Sequence, residues 1–201
     1  YYFEIERFDR ESGQLIKMLE EAGELDNTII VMTSDNGMPF PRAKANLYDY
    51  GTRMPLAIRW PEKVKAGTVI NDFVNFVDFA PSFVEAAGLT AETMSGQSLW
   101  PLLAGEKQNR DQVYLERERH ANVRKGNLSY PMRAVRNHQY LFIRNMMPER
   151  NPAGDATVHQ SVGQYGDSDK SITKYLIMSR EGKAKDVAPD YFNLAFEKRP
   201  A

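Results

Sequence analysis

The stretch that most constrains this chain is Thr28-Ile29-Ile30-Val31-Met32-Thr33. A continuous apolar, β-branched run of that length is too short for a helix and too apolar for a half-exposed strand. It therefore reads as a buried parallel strand. Upstream, Ile5, Phe8, Leu15, Ile16 and Leu19 fall near one face at helical spacing, with Glu6, Arg10, Lys17 and Glu20 interleaved. Gly23 and the Asp26-Asn27 pair close that helix. Helix followed by buried strand is half of a βαβ unit, which predicts an α/β fold.

Residues 34–51 are polar and rich in Pro and Gly, a long functional loop by composition. Met54–Trp60 reads as a second strand closed by Pro61. Asp72–Gly88 reads as a helix with Pro81 near a first turn, and Gly96–Gly105 as a turn and short helix. A charged stretch at 106–110 offers a boundary. Beyond it, Val113–Arg117, Arg133–Arg136 and Gln139–Arg144 read as short strands, the last two joined at Asn137-His138 as a hairpin. Helices follow near Ser171–Arg180 and Pro189–Lys198. This predicts a division into 1–105, the later part of an α/β domain, and 106–201, a small antiparallel α+β subdomain. The Gly-, Asp- and Ser-rich segment Asn151–Asp169 reads as a surface excursion that carries His159.

Composition narrows the chemistry. Of 201 residues, 26 are basic and 27 acidic, for a net charge of -1, so no global field draws nucleic acid or an acidic membrane. No apolar run approaches the ~20 residues of a membrane span. The absence of cysteine removes disulfides, thiolate metal sites and cysteine nucleophiles from these residues. The chain opens Tyr1-Tyr2-Phe3 and closes Glu197-Lys198-Arg199-Pro200-Ala201. Both ends read as cut, so the expectation is a part of a longer protein.

Directly after the apolar strand stands Thr33-Ser34-Asp35-Asn36-Gly37. Ligands of open α/β sheets gather where strands end and loops begin. A carboxylate beside a carboxamide supplies two hard oxygens of the kind calcium or magnesium takes. The same residues also spell a plain Asn-Gly turn. Lys44 lies further along the loop, a compact point charge suited to neutralising a tetrahedral oxyanion. The string runs on through Tyr48-Asp49-Tyr50-Gly51-Thr52-Arg53-Met54-Pro55-Leu56 to Trp60-Pro61.

That order resembles the sulfatase family of the alkaline phosphatase superfamily. The likeness extends through Val77-Asp78-Phe79-Ala80-Pro81-Ser82, Gly88-Leu89 and Gly96-Gln97-Ser98-Leu99-Trp100-Pro101-Leu102-Leu103, covering roughly residues 5–105. Asp35-Asn36-Gly37-Met38-Pro39-Phe40-Pro41 and Tyr130-Pro131-Met132-Arg133 are similar to the heparan N-sulfatase (sulfamidase) branch, which often has arginine where Lys44 stands. The resemblance implies the later part of the main mixed sheet with flanking helices, and hydrolysis of sulfate esters or N-sulfate groups on sugars such as glycosaminoglycans. It implies Asp35 and Asn36 as calcium ligands, with magnesium the alternative ion, and Lys44 as a sulfate contact. It implies a formylglycine nucleophile upstream of the metal turn, so this fragment alone is expected to be inactive. It further implies a sulfated carbohydrate as partner, and secretion, periplasm or lysosome as location.

Softer expectations complete the reading. His120 could reach substrate or belong to a solvated charged edge, and Arg133 is either a pocket residue or a strand-end charge. His138 is expected in the hairpin turn, Arg53 on a local carboxylate such as Asp49, and Met32, Met146, Met147 and Met178 in packing. Ser129-Tyr130-Pro131-Met132-Arg133 fits the Ser-x-Pro-x-Arg pattern that is converted to formylglycine. It follows the metal turn instead of preceding it, so conversion there is not expected. Two other functions stay open at this point: phosphate or phosphonate ester hydrolysis on the same fold, and a non-catalytic carbohydrate-binding derivative.

Overall fold

The computed structural model describes residues 1–107, 110–157, 163–179 and 189–201. In chain order the elements are α1 (Tyr2–Glu21), β1 (Ile30–Thr33), α2 (Asp49–Thr52), β2 (Leu56–Arg59), α3 (Phe79–Ala86), α4 (Trp100–Leu103), β3 (Gln112–Arg117), β4 (Met132–Asn137), β5 (Leu141–Asn145), α5 (Ile172–Met178) and α6 (Pro189–Phe196). They fall into two units. One comprises Tyr1–Thr33 with Leu56–Asn109, the other Ser34–Pro55 with Arg110–Ala201.

In the first unit, α1 ends where Gly23 takes φ 74° and Glu24 N–H returns to the Leu19 carbonyl at 2.9 Å. None of its residues is buried, and Phe3, Ile5, Phe8, Leu15 and Met18 are exposed. The apolar run after it does form a strand, but its pairing corrects the parallel expectation. β1 pairs antiparallel with β2, from Ile30 opposite Arg59 to Thr33 opposite Leu56. Every β1 residue is half-buried. Loop 34–55 reverses the chain, so the returning segment lies beside β1 in the opposite direction, and local reversal decided what apolarity could not. Arg59 fastens β2 to the turn after α1 by donating to the Leu25 carbonyl at 2.6 Å and to Asp26 at 2.9 Å.

The segment expected as one helix over 72–88 forms only a 3₁₀ turn at Phe76–Asp78 and then α3. Asp78 explains the motif around it. Its fully buried carboxylate accepts from Asn75 N–H at 2.8 Å and Gln97 N–H at 3.0 Å. Ser82 Oγ donates to the Asp78 carbonyl and accepts from Leu99 N–H, at 2.6 and 2.8 Å. Trp100 Nε1–H donates to the Ser82 carbonyl at 2.8 Å. A Cβ on Gly96 would lie 2.0 Å from the Val77 carbonyl oxygen. This string of the sulfatase-like pattern is thus architecture: it staples one turn to the next.

The second unit is built on the antiparallel sheet β3-β4-β5, in register from Glu116 opposite Arg133 and Arg133 opposite Arg144. Alternation along β4 sends Met132 and Ala134 inward with Tyr130 and Leu47, packed by Leu115, Leu141 and Ile143. The expected hairpin is present: the Asn137 side chain accepts from Gln139 and Tyr140 N–H at 2.9 and 2.7 Å, with His138 exposed in the turn. A second cluster joins Ala153, Ala195 and Phe196 with Tyr165, Ile177, Met178 and Phe192.

Three expectations are corrected in this unit. The 151–169 segment is not a surface excursion throughout, since Pro152, Ala153, Gly154 and Gly166–Ser168 are buried; His159 lies outside the described residues. The Asp49 carboxylate takes Arg136 at 3.0 and 3.2 Å instead of Arg53. Met146 is exposed, whereas Met178 packs as expected.

Candidate active site

The loop that leaves β1 is closed backbone against backbone. Ser34 Oγ donates to the Asn36 carbonyl at 2.8 Å, and Asn36 Nδ2 donates to the Gly37 carbonyl at 3.0 Å. A Cβ on Gly37 would meet the Tyr50 carbonyl oxygen at 2.1 Å, and one on Gly51 would meet the Asn46 and Ala43 oxygens at 2.3 and 2.4 Å. Both positions therefore require glycine. The turn presents Asp35 exposed, with no hydrogen bond or ion pair to any described residue. Asn36 spends an amide N–H on Gly37, and its Oδ1 accepts no hydrogen bond from a described residue.

Lys44 sits between two residues with left-handed backbone, Arg42 at φ 64° and Ala45 at φ 62°. Such non-glycine conformations cost about 1–3 kcal/mol and persist only where surroundings fix them. Here Lys44 N–H donates to the Met38 carbonyl at 3.1 Å, Asn46 Nδ2 to the Lys44 carbonyl at 3.0 Å, and Arg117 Nη1 to the Ala45 carbonyl at 2.6 Å. Arg42 lies over the Tyr48 ring at 4.1 Å and Arg199 at 5.1 Å, and Arg199 donates to Asn46 Oδ1 at 3.0 Å. The Lys44 ammonium points to Asp169 Oδ2 at 3.0 Å.

Asp167 holds the centre of this unit. Its side chain is 1% exposed and clamped by Arg117, by Arg124 at 3.1 Å and by His120 Nδ1 at 3.2 Å. Burial pushes the Asp167 carboxyl up, but the His120 hydrogen bond and the two guanidinium charges together outweigh it and hold the group below its ordinary value. Burial also lowers Arg124 against the pull of Asp167. Arg124 donates to the Asn151 and Pro152 carbonyls at 2.7 and 3.1 Å. The guanidiniums of Arg117 and Arg124 lie 5.6 and 5.0 Å from the Tyr130 ring centre. The buried Lys174 ammonium, lowered by that burial, donates to the Tyr165 and Ser168 carbonyls at 3.0 and 2.7 Å.

The turn 167–169 therefore carries His120 at one end, through Asp167, and Lys44 at the other, through Asp169. Arg133 is not brought to it. That guanidinium pairs with Glu118 and, at 3.6 Å, with Glu116, on the exposed end of the sheet. Asp35 and Asn36 stand in the same loop as Lys44 and share no hydrogen bond with it. Sequence reasoning missed Asp167, Asp169, Arg117 and Arg124. The available signal was Gly166-Asp167-Ser168-Asp169, an Asp-x-Asp in a segment whose composition reads as solvated.

The family described as N-sulphoglucosamine sulphohydrolase, C-terminal, matches residues 42–150, more than half of the chain. The chain belongs to that family. Among its relatives, human N-sulphoglucosamine sulphohydrolase is 31% identical over 156 residues, covering 72% of this chain and 30% of the relative. An ulvan-active sulfatase from Formosa agariphila is 35% identical over 151 residues, covering 74% and 24%. An N-acetylglucosamine-6-O-sulfatase from Bacteroides thetaiotaomicron is 43% identical over 103 residues, covering 49% and 18%. The chain thus spans at most about a third of the length of these relatives.

Two solved structures show the fold. One, determined with its substrate D-glucosamine-2-N,6-O-disulfate, is 24% identical with a TM-score of 0.57 over 93% of this chain and 38% of that one. The other is a phosphonate monoester hydrolase from Silicibacter pomeroyi, 23% identical with a TM-score of 0.57 over 68% and 30%. The chain therefore has part of the alkaline-phosphatase-like sulfatase fold, with the antiparallel sheet β3-β4-β5 in its second unit.

Proposed function

We propose that the protein carrying this chain hydrolyses sulfate groups on sugars, as O-sulfate esters or as N-sulfate (sulfamate), with a metal ion as cofactor. The observation that carries the reading is Lys44, a cation held in a fixed turn between two left-handed residues, within a chain of the N-sulphoglucosamine sulphohydrolase family. Asp35 and Asn36 fit a hard cation: among the described residues neither the exposed carboxylate of the one nor the amide oxygen of the other has a hydrogen-bond partner. Among the described residues no group of three His, Cys, Asp or Glu side chains comes together as a metal site. Calcium takes six to eight oxygens, so this pair would supply a share of them.

Asp35 and Asn36 would hold calcium, which as a Lewis acid supplies polarisation of sulfate oxygens when bound. Lys44 would neutralise charge on the sulfate as the sulfur–oxygen or sulfur–nitrogen bond breaks. His120 keeps Nδ1 on Asp167 and offers the rest of its ring, 31% exposed at the side chain, to the sugar. The carboxylate fixes the imidazole's orientation. We assign the nucleophile to a formylglycine upstream of the metal turn. Ser129 is not that group in this reading: Tyr130 and Met132 of its motif are buried in the core, and Arg133 is committed to carboxylates. The same reading places the protein in a secreted, periplasmic or lysosomal setting. No helix among the described residues is long and apolar enough to cross a membrane.

The test is sulfate release by the full-length protein from N-sulfated and 6-O-sulfated glucosamine, before and after calcium removal by a chelator. Release that stops on chelation and returns with added calcium is expected. Release unaffected by complete calcium removal contradicts the metal assignment, and no release from either sugar contradicts the substrate class.

A further inference from the structure

The Lys44–Asp169 contact has features that stability does not explain. The pair is partly exposed, at 27% and 35% of the side chains, and ion pairs so exposed contribute little to folding. Every other charge on the turn has buried or backbone commitments: Asp167 to two arginines and a histidine, Lys174 to two carbonyls. Lys44 is the one hydrogen-bonding partner of Asp169 among the described residues.

The backbone that carries Asp169 is held in place. The turn before it is fixed by Asp167 N–H on the Ala153 carbonyl at 2.8 Å, Ser168 N–H on the Tyr165 carbonyl at 3.0 Å, and Tyr165 N–H on the Asp155 carbonyl at 2.8 Å. Lys174 clamps the Tyr165 and Ser168 carbonyls from beneath. Any anion docked on the Lys44 ammonium would therefore lie within a few ångströms of a carboxylate carried on a fixed turn. Its repulsion from Asp169 scales with its own charge.

We propose that Asp169 sets the charge of the anion that the Lys44 site accepts, favouring singly charged sulfate and sulfamate groups over doubly charged phosphate. The inference rests on the reading of Lys44 as the sulfate contact and deepens it. A lone lysine beside a divalent cation would favour the dianion, since attraction to both grows with ligand charge. A carboxylate paired with the lysine cancels its net charge at a distance and leaves its two remaining donors to recognise oxygens at close range. Sulfate esters, with one negative charge, lose little by this. Phosphate monoesters, close to doubly charged above their second pKa of about 6, lose about twice as much.

The experiment compares full-length wild type, Asp169→Asn and Lys44→Ala with p-nitrophenyl sulfate and p-nitrophenyl phosphate at pH 8. Sulfamate, singly charged, and inorganic phosphate, mostly doubly charged at this pH, serve as competing inhibitors, the second pair of the comparison. Asp169→Asn is expected to raise the phosphate-to-sulfate ratio of kcat/KM, and the corresponding ratio of inhibitor affinities, by about tenfold. Asp169→Glu is expected to return both ratios towards wild type. Ratios that stay within about twofold of wild type in Asp169→Asn, while Lys44→Ala loses sulfate turnover, overturn the charge-selection role and leave the Lys44 reading standing. Undiminished sulfate turnover in Lys44→Ala overturns both.

Discussion

Replacing Asp167 by asparagine is expected to destabilise the full-length protein by about 3–5 kcal/mol, because it leaves two buried guanidiniums without their counter-charge. Arg124 is 1% exposed and Arg117 is 8% exposed, so neither can turn to water for compensation without opening the subdomain. Three further nitrogens, Nε of both arginines and Nη1 of Arg124, already lack a hydrogen-bond partner among the described residues. Urea unfolding measures the loss directly. The acid limb adds a second readout. The folded Asp167 carboxyl titrates below its unfolded value, so its stabilising contribution is complete above the ordinary carboxylate pKa of about 3.9. That contribution is lost as pH falls through the depressed folded value. Wild type should show this acid-dependent component and Asp167→Asn should lack it. A variant that unfolds at the wild-type urea midpoint would show that the cluster is not the keystone of this unit.

Asp35→Ala is expected to remove calcium and activity together, with little change in the metal-free fold. The carboxylate is exposed and makes no hydrogen bond or ion pair with the described residues, so its truncation falls among surface changes of about ±0.5 kcal/mol. Loss of a residue that only supports a metal ligand typically weakens binding 10–100-fold, so loss of a ligand itself should weaken calcium by at least about a hundredfold. Turnover should fall with it, and high calcium should restore part of the activity. Calorimetry of the calcium site alongside sulfate release separates this outcome from misfolding. Full activity with full calcium content would return the Ser34–Gly37 segment to a plain Asn-Gly turn.

Much of the molecule was legible because its signals are local. The β4–β5 hairpin announces itself through Asn137, whose side chain caps the turn that the sequence pattern places there. Gly37 and Gly51 mark a loop folded back on its own backbone, and Asp78, Ser82 and Gly96 mark a staple between neighbouring turns. What escaped is non-local. The direction of β1's partner depends on how loop 34–55 returns, which the apolarity of Ile30–Met32 does not encode. Asp167 and Asp169 lie 50 and 125 residues from Arg117 and Lys44. In the sequence they sit among Gly, Ser and Lys, the composition of a solvated loop. Burial of Arg124 and Lys174 is equally invisible, because charged residues are almost always exposed unless something distant pairs with them.

The account centres on Lys44 as the group that meets the sulfate. The most direct measurement is kcat/KM for sulfate release from N-sulfated glucosamine by full-length Lys44→Ala, with its bound calcium determined in the same preparation. A fall of about 10²–10³-fold at unchanged calcium content is the predicted result. Turnover within a factor of about two of wild type would contradict it.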